Sequence, residues 1–239
     1  MENLFLKGLK IHWDEIDSHS YLRSIPSLSS LEEMVFHKPI TYFVGENGSG
    51  KSTLLEAVAI ASGFNPEGGT KNYSFSTHDS HSELCDHLTL IKGPFQMKWG
   101  YFLRAESFYN VATKEEEYSR EKGGVPQKYH ERSHGESFLK LLTNNFTSKG
   151  LYFLDEPEAA LSPQRQLSFL SLLHESIQNG SQFFIVSHSP ILLGYPEAEI
   201  LSFDEIVHSI PYEETDSYQI MKMFLNHKEQ VLNTLFEEE

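Results

Sequence analysis

The chain has 239 residues, with 34 acidic and 19 basic side chains and a formal charge of −15. That length suits one sizeable α/β domain. The acidity argues against a broad basic face for nucleic acid or anionic lipid, and no apolar run approaches the roughly 18–20 residues of a membrane span. A lone cysteine, Cys85, allows no intrachain disulfide and suits a reducing compartment, so a cytoplasmic location is expected. The start, Met1-Glu2-Asn3-Leu4, carries neither the basic region nor the apolar core of a signal peptide.

In chain order, Leu4–Ile11 partly alternates and predicts an edge strand. A short helix is expected near Leu31–Val35. Ile40–Val44 is apolar, β-branched or aromatic, and reads as a buried strand. Gly45-Glu46-Asn47-Gly48-Ser49-Gly50-Lys51-Ser52 then fits the phosphate-binding pattern G-x-x-x-x-G-K-[ST] at every fixed position. Thr53 follows, and Leu54–Ala61 reads as a helix. Strand, glycine loop and helix are what the chemistry needs. Glycines let backbone N–H groups approach phosphate oxygens, and the helix N-terminus adds the positive end of its dipole. Lys51 would sit on the β- and γ-phosphates, and Ser52 would offer a hydroxyl to Mg2+.

Further along, His78, Asp79, His81, Cys85, Asp86 and His87 cluster, but without the paired spacing of a zinc motif. Surface histidines with a short helix over Ser82–Leu90 are the expected arrangement. Phe95–Leu103 reads as a strand. Lys114–Lys128 is polar, with Gly123-Gly124, and reads as a solvated insert. Glu136–Phe146 reads as a helix, and Ser133-His134-Gly135-Glu136 before it can serve either as a capping box or as an anion-binding cap.

Leu151–Leu154 is a buried strand running into Asp155-Glu156-Pro157-Glu158. Such an acidic pair also arises as an ordinary solvated strand end. Behind a phosphate loop it gains meaning: Asp155 would hold Mg2+, and Glu156 would act as general base toward the attacking water. Ser162-Pro163 opens a helix over Gln164–Gln178. Gln182–Val186 is a strand ending in Ser187-His188-Ser189-Pro190, which sets His188 where the phosphates belong. Short strands are expected at Glu199–Phe203 and Ile206–Ile210, and a helix from Ser217 to Phe236. Strands alternating with helices predict a mainly parallel sheet with its ligand at the strands' C-terminal ends.

These elements in this order resemble the ATP-binding cassette (ABC) ATPases, within the P-loop NTPase class. Gly45–Ser52 is similar to Walker A, Leu151–Glu156 to Walker B, and Ser133-His134-Gly135-Glu136 to the signature motif of SMC-like ATPases. Asp155–Ser162 looks like Walker B running into the D-loop, and His188 takes the switch-histidine position. With Phe102-Leu103-Arg104-Ala105-Glu106-Ser107, the chain resembles small stand-alone bacterial AAA ATPases of the RecF/OLD-like group. It departs in having His134 where the signature has Gly, and Ser162 where the D-loop has Asp. No glutamine marks the Q-loop; Glu106 or Arg104 stands there, and Glu106 would be a metal ligand.

The resemblance implies an α/β P-loop fold with antiparallel edge strands. It implies a single domain over 1–239 with a small helical signature subdomain inserted at 105–150. It implies ATP hydrolysis with Mg2+ and a head-to-tail homodimer enclosing two nucleotides. Glu46, Asn47, Gly48, Ser49, Gly50, Lys51, Ser52 and Thr53 would bind ATP from one subunit, and Ser133, Gly135 and Glu136 from the other. A switch role in DNA maintenance or phage defence, with a protein partner and without membrane insertion, is the leading expectation. The alternative is the nucleotide-binding subunit of a membrane transporter. The stretch between Lys51 and Ser133 has no heptad run, which excludes long coiled-coil arms there.

Overall fold

The structure is a computed structural model that describes residues 4–70, 82–97, 99–104, 134–146 and 149–236. Its centre is a seven-stranded sheet. The strands, in chain order, are β3 (Ile40–Val44), β4 (Gly69–Thr70), β6 (Gly100–Arg104), β7 (Leu151–Asp155), β8 (Gln182–Val186), β9 (Glu199–Ser202) and β10 (His208–Ser209), arranged β10-β9-β3-β8-β7-β6-β4. The five inner strands are parallel, and β10 and β4 close the edges antiparallel. A second, three-stranded antiparallel sheet has the order β2-β1-β5, from β1 (Leu6–Ile11), β2 (Glu33–Val35) and β5 (Leu88–Lys92). Among the described residues, the α-helices are α1 (Pro26–Ser29), α2 (Lys51–Ala61), α3 (His134–Asn145), α4 (Pro163–Gln178), α5 (Pro190–Leu193) and α6 (Asp216–Phe236). No helix among the described residues is long and apolar enough to cross a membrane.

The central strands β3, β7 and β8 are buried along their whole length and mostly apolar, because both faces of the sheet are covered. Successive side chains point to opposite faces. Phe43, Phe102, Phe153 and Phe184 enter one core, which α2 and the small sheet cover. Tyr42, Tyr101, Tyr152 and Phe183 enter the other, together with Phe138 of α3, Phe169 of α4 and Leu192 of α5. The cores are aromatic stacks in part: the rings of Tyr152 and Phe183 lie 4.7 Å apart and those of Phe153 and Phe184 5.4 Å apart, both pairs near parallel. The two sheets are tied by Gln182. Its buried side chain accepts the N–H groups of Phe5 (2.8 Å) and Leu6 (2.9 Å) and donates to the Leu6 carbonyl (2.8 Å).

Four expectations change. Leu4–Ile11 is no edge strand: β1 is the middle strand of its sheet, flanked by β2 and β5. Residues near 31–35 form β2 rather than a helix, because Met34 and Val35 find ladder partners on Leu9 and Gly8. The helix over Ser82–Leu90 is a 3-10 turn, Glu83–His87, that gives way to β5, where Leu88, Thr89 and Leu90 pair with Ile11, Lys10 and Leu9. The strand foreseen over Phe95–Leu103 spans Gly100–Arg104, because its neighbour β7 offers ladder partners only from Leu151 onward. Helix α6 is kinked at His227 (φ −132°, ψ 34°), and its outer turns expose Leu225, Leu235 and Phe236.

Candidate active site

The register of the parallel strands builds the site. Arg104 pairs with Asp155, Asp155 with Val186, and Val186 with Phe43. One transverse row therefore ends β6, β7 and β8 together, with β3 running one residue past it, and the residues beyond form the site: Gly45 after β3, Glu156 after β7 and His188 after β8. This is the C-terminal edge of a parallel sheet, where ligands of such folds bind.

The loop Gly45–Gly50 turns directly into α2. Gly50 caps that helix in the left-handed region (φ 89°), and a Cβ there would come within 2.8 Å of Leu28 Cγ. Both constraints require glycine. Lys51 is buried, and its Nζ donates to the carbonyls of Gly45 (2.7 Å) and Glu46 (2.6 Å) and to Ser49 Oγ (3.3 Å). Burial pushes its pKa down, against the upward pull of Asp204, Glu156 and Asp155. Glu46, Asn47 and Gly48 form the exposed tip, Ser52 lies in the first turn of α2, and Thr53 follows it.

Ser52 Oγ donates to Asp155 Oδ1 at 2.9 Å, across 103 residues of sequence. Asp155 Oδ2 also faces Arg104 Nε at 3.5 Å, while Arg104 Nη1 holds Glu56 Oε2 at 2.8 Å. A serine hydroxyl in the first turn of α2 and a carboxylate at the end of β7 are hard oxygen donors. Completed by phosphate oxygens and water, they fit Mg2+. Among the described residues, no group of three or more His, Cys, Asp or Glu is placed to hold a metal ion.

Glu156 adopts a left-handed backbone (φ 49°, ψ 52°) that is costly for a side chain with a Cβ. Its N–H still reaches Val186 O (3.0 Å), so the chain leaves the sheet sharply and Glu156 is delivered, half exposed, to the groove. His188 Nε2 lies 4.0 Å from Glu156 Oε1. The groove, about 1120 Å³, is walled by Gly45, Glu46 and Asn47, by Glu156 and His188, and by Asp204, His208 and α6.

The signature candidates divide. Ser133 lies outside the described residues, as do Glu106, His78, Asp79 and His81, while Arg104 is placed beside Asp155. Gly135 and Glu136 open α3, which packs on the turn Pro157–Ala160 and on α4. A Cβ at Gly135 would come within 2.5 Å of Arg165 Nη1 and 3.0 Å of Ala160 O, so this glycine permits a close helix contact inside the subunit. Glu136 is paired with Arg165 (3.1 Å).

Two residues of the site escaped sequence reasoning. Asp204, just past β9, accepts the Glu46 N–H (2.9 Å) and braces the phosphate loop. Glu56 holds Arg104. The only signals were an acid after an apolar strand and an acid one turn into α2, both common on ordinary surfaces.

Two family models match the chain. One, described as an AAA domain, covers residues 20–123. The other covers residues 118–194 and is described as an AAA domain with a suggested link to the AbiEii toxin of a type IV TA system. Among solved structures, the SMC head domain from Thermotoga maritima is similar at 16% identity, covering 87% of this chain and 99% of that one, with a TM-score of 0.46. A candidate metal-chelate type ABC transporter in an inward-facing conformation is similar at 17% identity, covering 92% of this chain and 88% of that one, with a TM-score of 0.50; this likeness is one of fold. No curated protein matches. The two AAA-domain matches together run from residue 20 to 194, over the same strands whose ends make the site, and with the mainly parallel sheet they support a P-loop ATPase of the ABC/AAA-like kind.

Proposed function

We propose that this chain binds Mg-ATP at Gly45–Thr53, hydrolyses it, and uses the cycle to close and open a head-to-tail pair of subunits. The carrying observation is the 2.9 Å bond between Ser52 and Asp155 with Glu156 as the next residue. It joins the two halves of a phosphoryl-transfer site that lie far apart in sequence.

Lys51 would leave the loop carbonyls to neutralise the β- and γ-phosphates. Mg2+, when bound, supplies charge compensation to the phosphate oxygens, held on the protein side by Ser52 and Asp155, with Glu106 as a further candidate. Glu156 Oε1 accepts a hydrogen bond from the attacking water and takes its proton as the water oxygen bonds to the γ-phosphorus and the bond from that phosphorus to the β,γ-bridging oxygen breaks, with ADP as the leaving group. His188 donates from its ring to the γ-phosphate and stabilises the charge that builds there. Glu156 and His188 are both open to solvent along the groove, so a second body is needed to exclude water. A second copy of the chain, presenting Ser133, Gly135 and Glu136, is the body the sequence resemblance implies. The likeness of residues 118–194 to a family linked with a type IV toxin–antitoxin system favours a role in defence over transport.

Steady-state turnover and mass in solution test this. Lys51→Ala should abolish nucleotide binding or turnover. Glu156→Gln should bind ATP, turn over about 100-fold slower or worse, and double its mass in ATP. Retention of binding and turnover by Lys51→Ala removes the phosphate loop from the reaction. An ATP-loaded Glu156→Gln that stays monomeric refutes the paired arrangement.

A further inference from the structure

The turn after Glu156 carries a second acid, Glu158, to which the hydrolytic scheme gives no task. It does not line the groove. Its Oε1 accepts the backbone N–H of His188 at 2.5 Å, across 30 residues of sequence. Its Oε2 is enclosed and makes no hydrogen bond of its own, although the Ser187 hydroxyl lies close enough to the carboxyl to favour its charged form. Burial raises the pKa of this carboxyl, and the His188 N–H is the first influence opposing that rise. An acid with one oxygen shut away from water is unfavourable unless the bond it does make matters. The Tyr42 hydroxyl, on the strand that leads into the phosphate loop, is likewise enclosed, and it lies close enough for Glu158 to raise its pKa. Glu158 thus stands where the ends of β3, β7 and β8 meet.

Each end carries part of the chemistry. The turn Pro157–Ala160 begins at Glu156, whose own N–H bonds to Val186, two residues before His188. Glu158 closes that link from the other side. Two hydrogen bonds, Glu156 N–H to Val186 O and His188 N–H to Glu158 Oε1, then bracket the general base and the imidazole into one unit. A single bond would leave a hinge at Ser187.

We propose that Glu158 is a positioning residue that locks the backbone of His188 to the turn bearing Glu156, so that imidazole and carboxylate meet the γ-phosphate with fixed spacing. This rests on the reading of Glu156 and His188 as the hydrolytic pair. Glu158 lies off the groove and acts through the backbone of His188. The bond needs an acceptor oxygen at the right reach and needs no negative charge.

Three substitutions in the full chain separate these requirements. Glu158→Gln keeps the accepting oxygen and loses the charge. Glu158→Asp keeps the charge and withdraws the oxygen by one methylene. Glu158→Ala removes both. Displacement of a reacting group by about an ångström is worth up to about 100-fold in rate, so kcat should fall about 10- to 100-fold in the Asp and Ala variants, with KM for ATP within about twofold. Glu158→Gln should stay within about threefold of the parent. On a His188→Ala background, Glu158→Ala should cost less than about twofold more, because residues acting through one group are non-additive. Exchange of the His188 amide with deuterated water, read on the nucleotide-free protein, should be faster in the Asp and Ala variants than in the parent or Gln variant.

A Gln variant as impaired as Ala overturns the proposal by showing that the charge itself matters. Full additivity with His188→Ala overturns it by showing a separate route. Unchanged amide exchange in Asp and Ala shows that the bond does not restrain the loop. If the parent shows no Lys51-dependent turnover, the hydrolytic reading fails, and the amide exchange still decides whether the tie exists.

Discussion

Gln182→Leu offers the sharpest check on how the two sheets are joined. The glutamine side chain makes three buried hydrogen bonds to Phe5 and Leu6, at 2.8–2.9 Å. Leucine fills a similar volume, so little cavity is created. Two N–H groups and one carbonyl are left without partners in a fully packed region. A buried polar group stripped of its partner costs about 1–3 kcal/mol, and partial peeling of the N-terminal strand would let water relieve some of it. The expected loss is roughly 3–5 kcal/mol, a large share of a total stability of about 5–15 kcal/mol. Urea unfolding followed by circular dichroism should show the midpoint falling by about 1–2 M at an unchanged slope, taking slopes near 2–3 kcal/mol/M for a chain of this size. A loss under about 1 kcal/mol would mean that the small sheet is held by its apolar face alone and that Gln182 is incidental.

Three further outcomes follow from the site and its surroundings. Arg104→Gln removes a cation facing Asp155 and should tighten Mn2+ binding, measured by electron paramagnetic resonance, several-fold; unchanged or weaker binding would show that the guanidinium does not oppose the metal. The same change strands Glu56, which should cost about 1–3 kcal/mol in urea. Gly135→Ala forces a methyl group toward Ala160 O and Arg165 and should destabilise the protein by about 1–3 kcal/mol; wild-type stability would show that α3 shifts freely on α4. Burial pushes the Cys85 thiol up to about 11, so the folded chain holds this proton above the pH where the unfolded chain has released it. Its contribution to stability is present below the unfolded pKa and is lost as pH rises from about 9 through 11. Iodoacetamide at pH 8 should alkylate it much more slowly in the native protein than in urea; equal rates would contradict the burial.

What the sequence disclosed depended on whether the information was local. The phosphate loop is a run of consecutive residues whose glycines and lysine have fixed backbone duties, so it reads directly. The buried strands before Gly45, Asp155 and Ser187 read equally well, because two covered faces leave an unbroken apolar run. The small sheet did not read, because β1 pairs with a strand some 80 residues later and nothing in Leu4–Ile11 says that it has a neighbour on both sides. Propensity over residues 82–90 suggested a helix, and non-local pairing overrode it. Asp204 and Glu158 were illegible for a different reason. An acid beyond an apolar strand is usually just solvated, and only the fold shows one bracing Glu46 and the other holding His188. Gly135 carries a packing duty that its motif does not announce: a Cβ there would meet Ala160 and Arg165 of the same subunit.

The transverse row Arg104, Asp155, Val186 and Phe43 also governs which changes the chain can absorb. One residue inserted within β6, β7, β8 or β3 would shift a functional end by about 3.3 Å and turn the following side chains to the opposite face. Insertions in the connections entering those strands, on the far edge of the sheet, would leave the row untouched. Length variation among relatives should therefore collect at that far edge, and the segments between ladder and loop should keep their count to the residue even where their apolar side chains are exchanged.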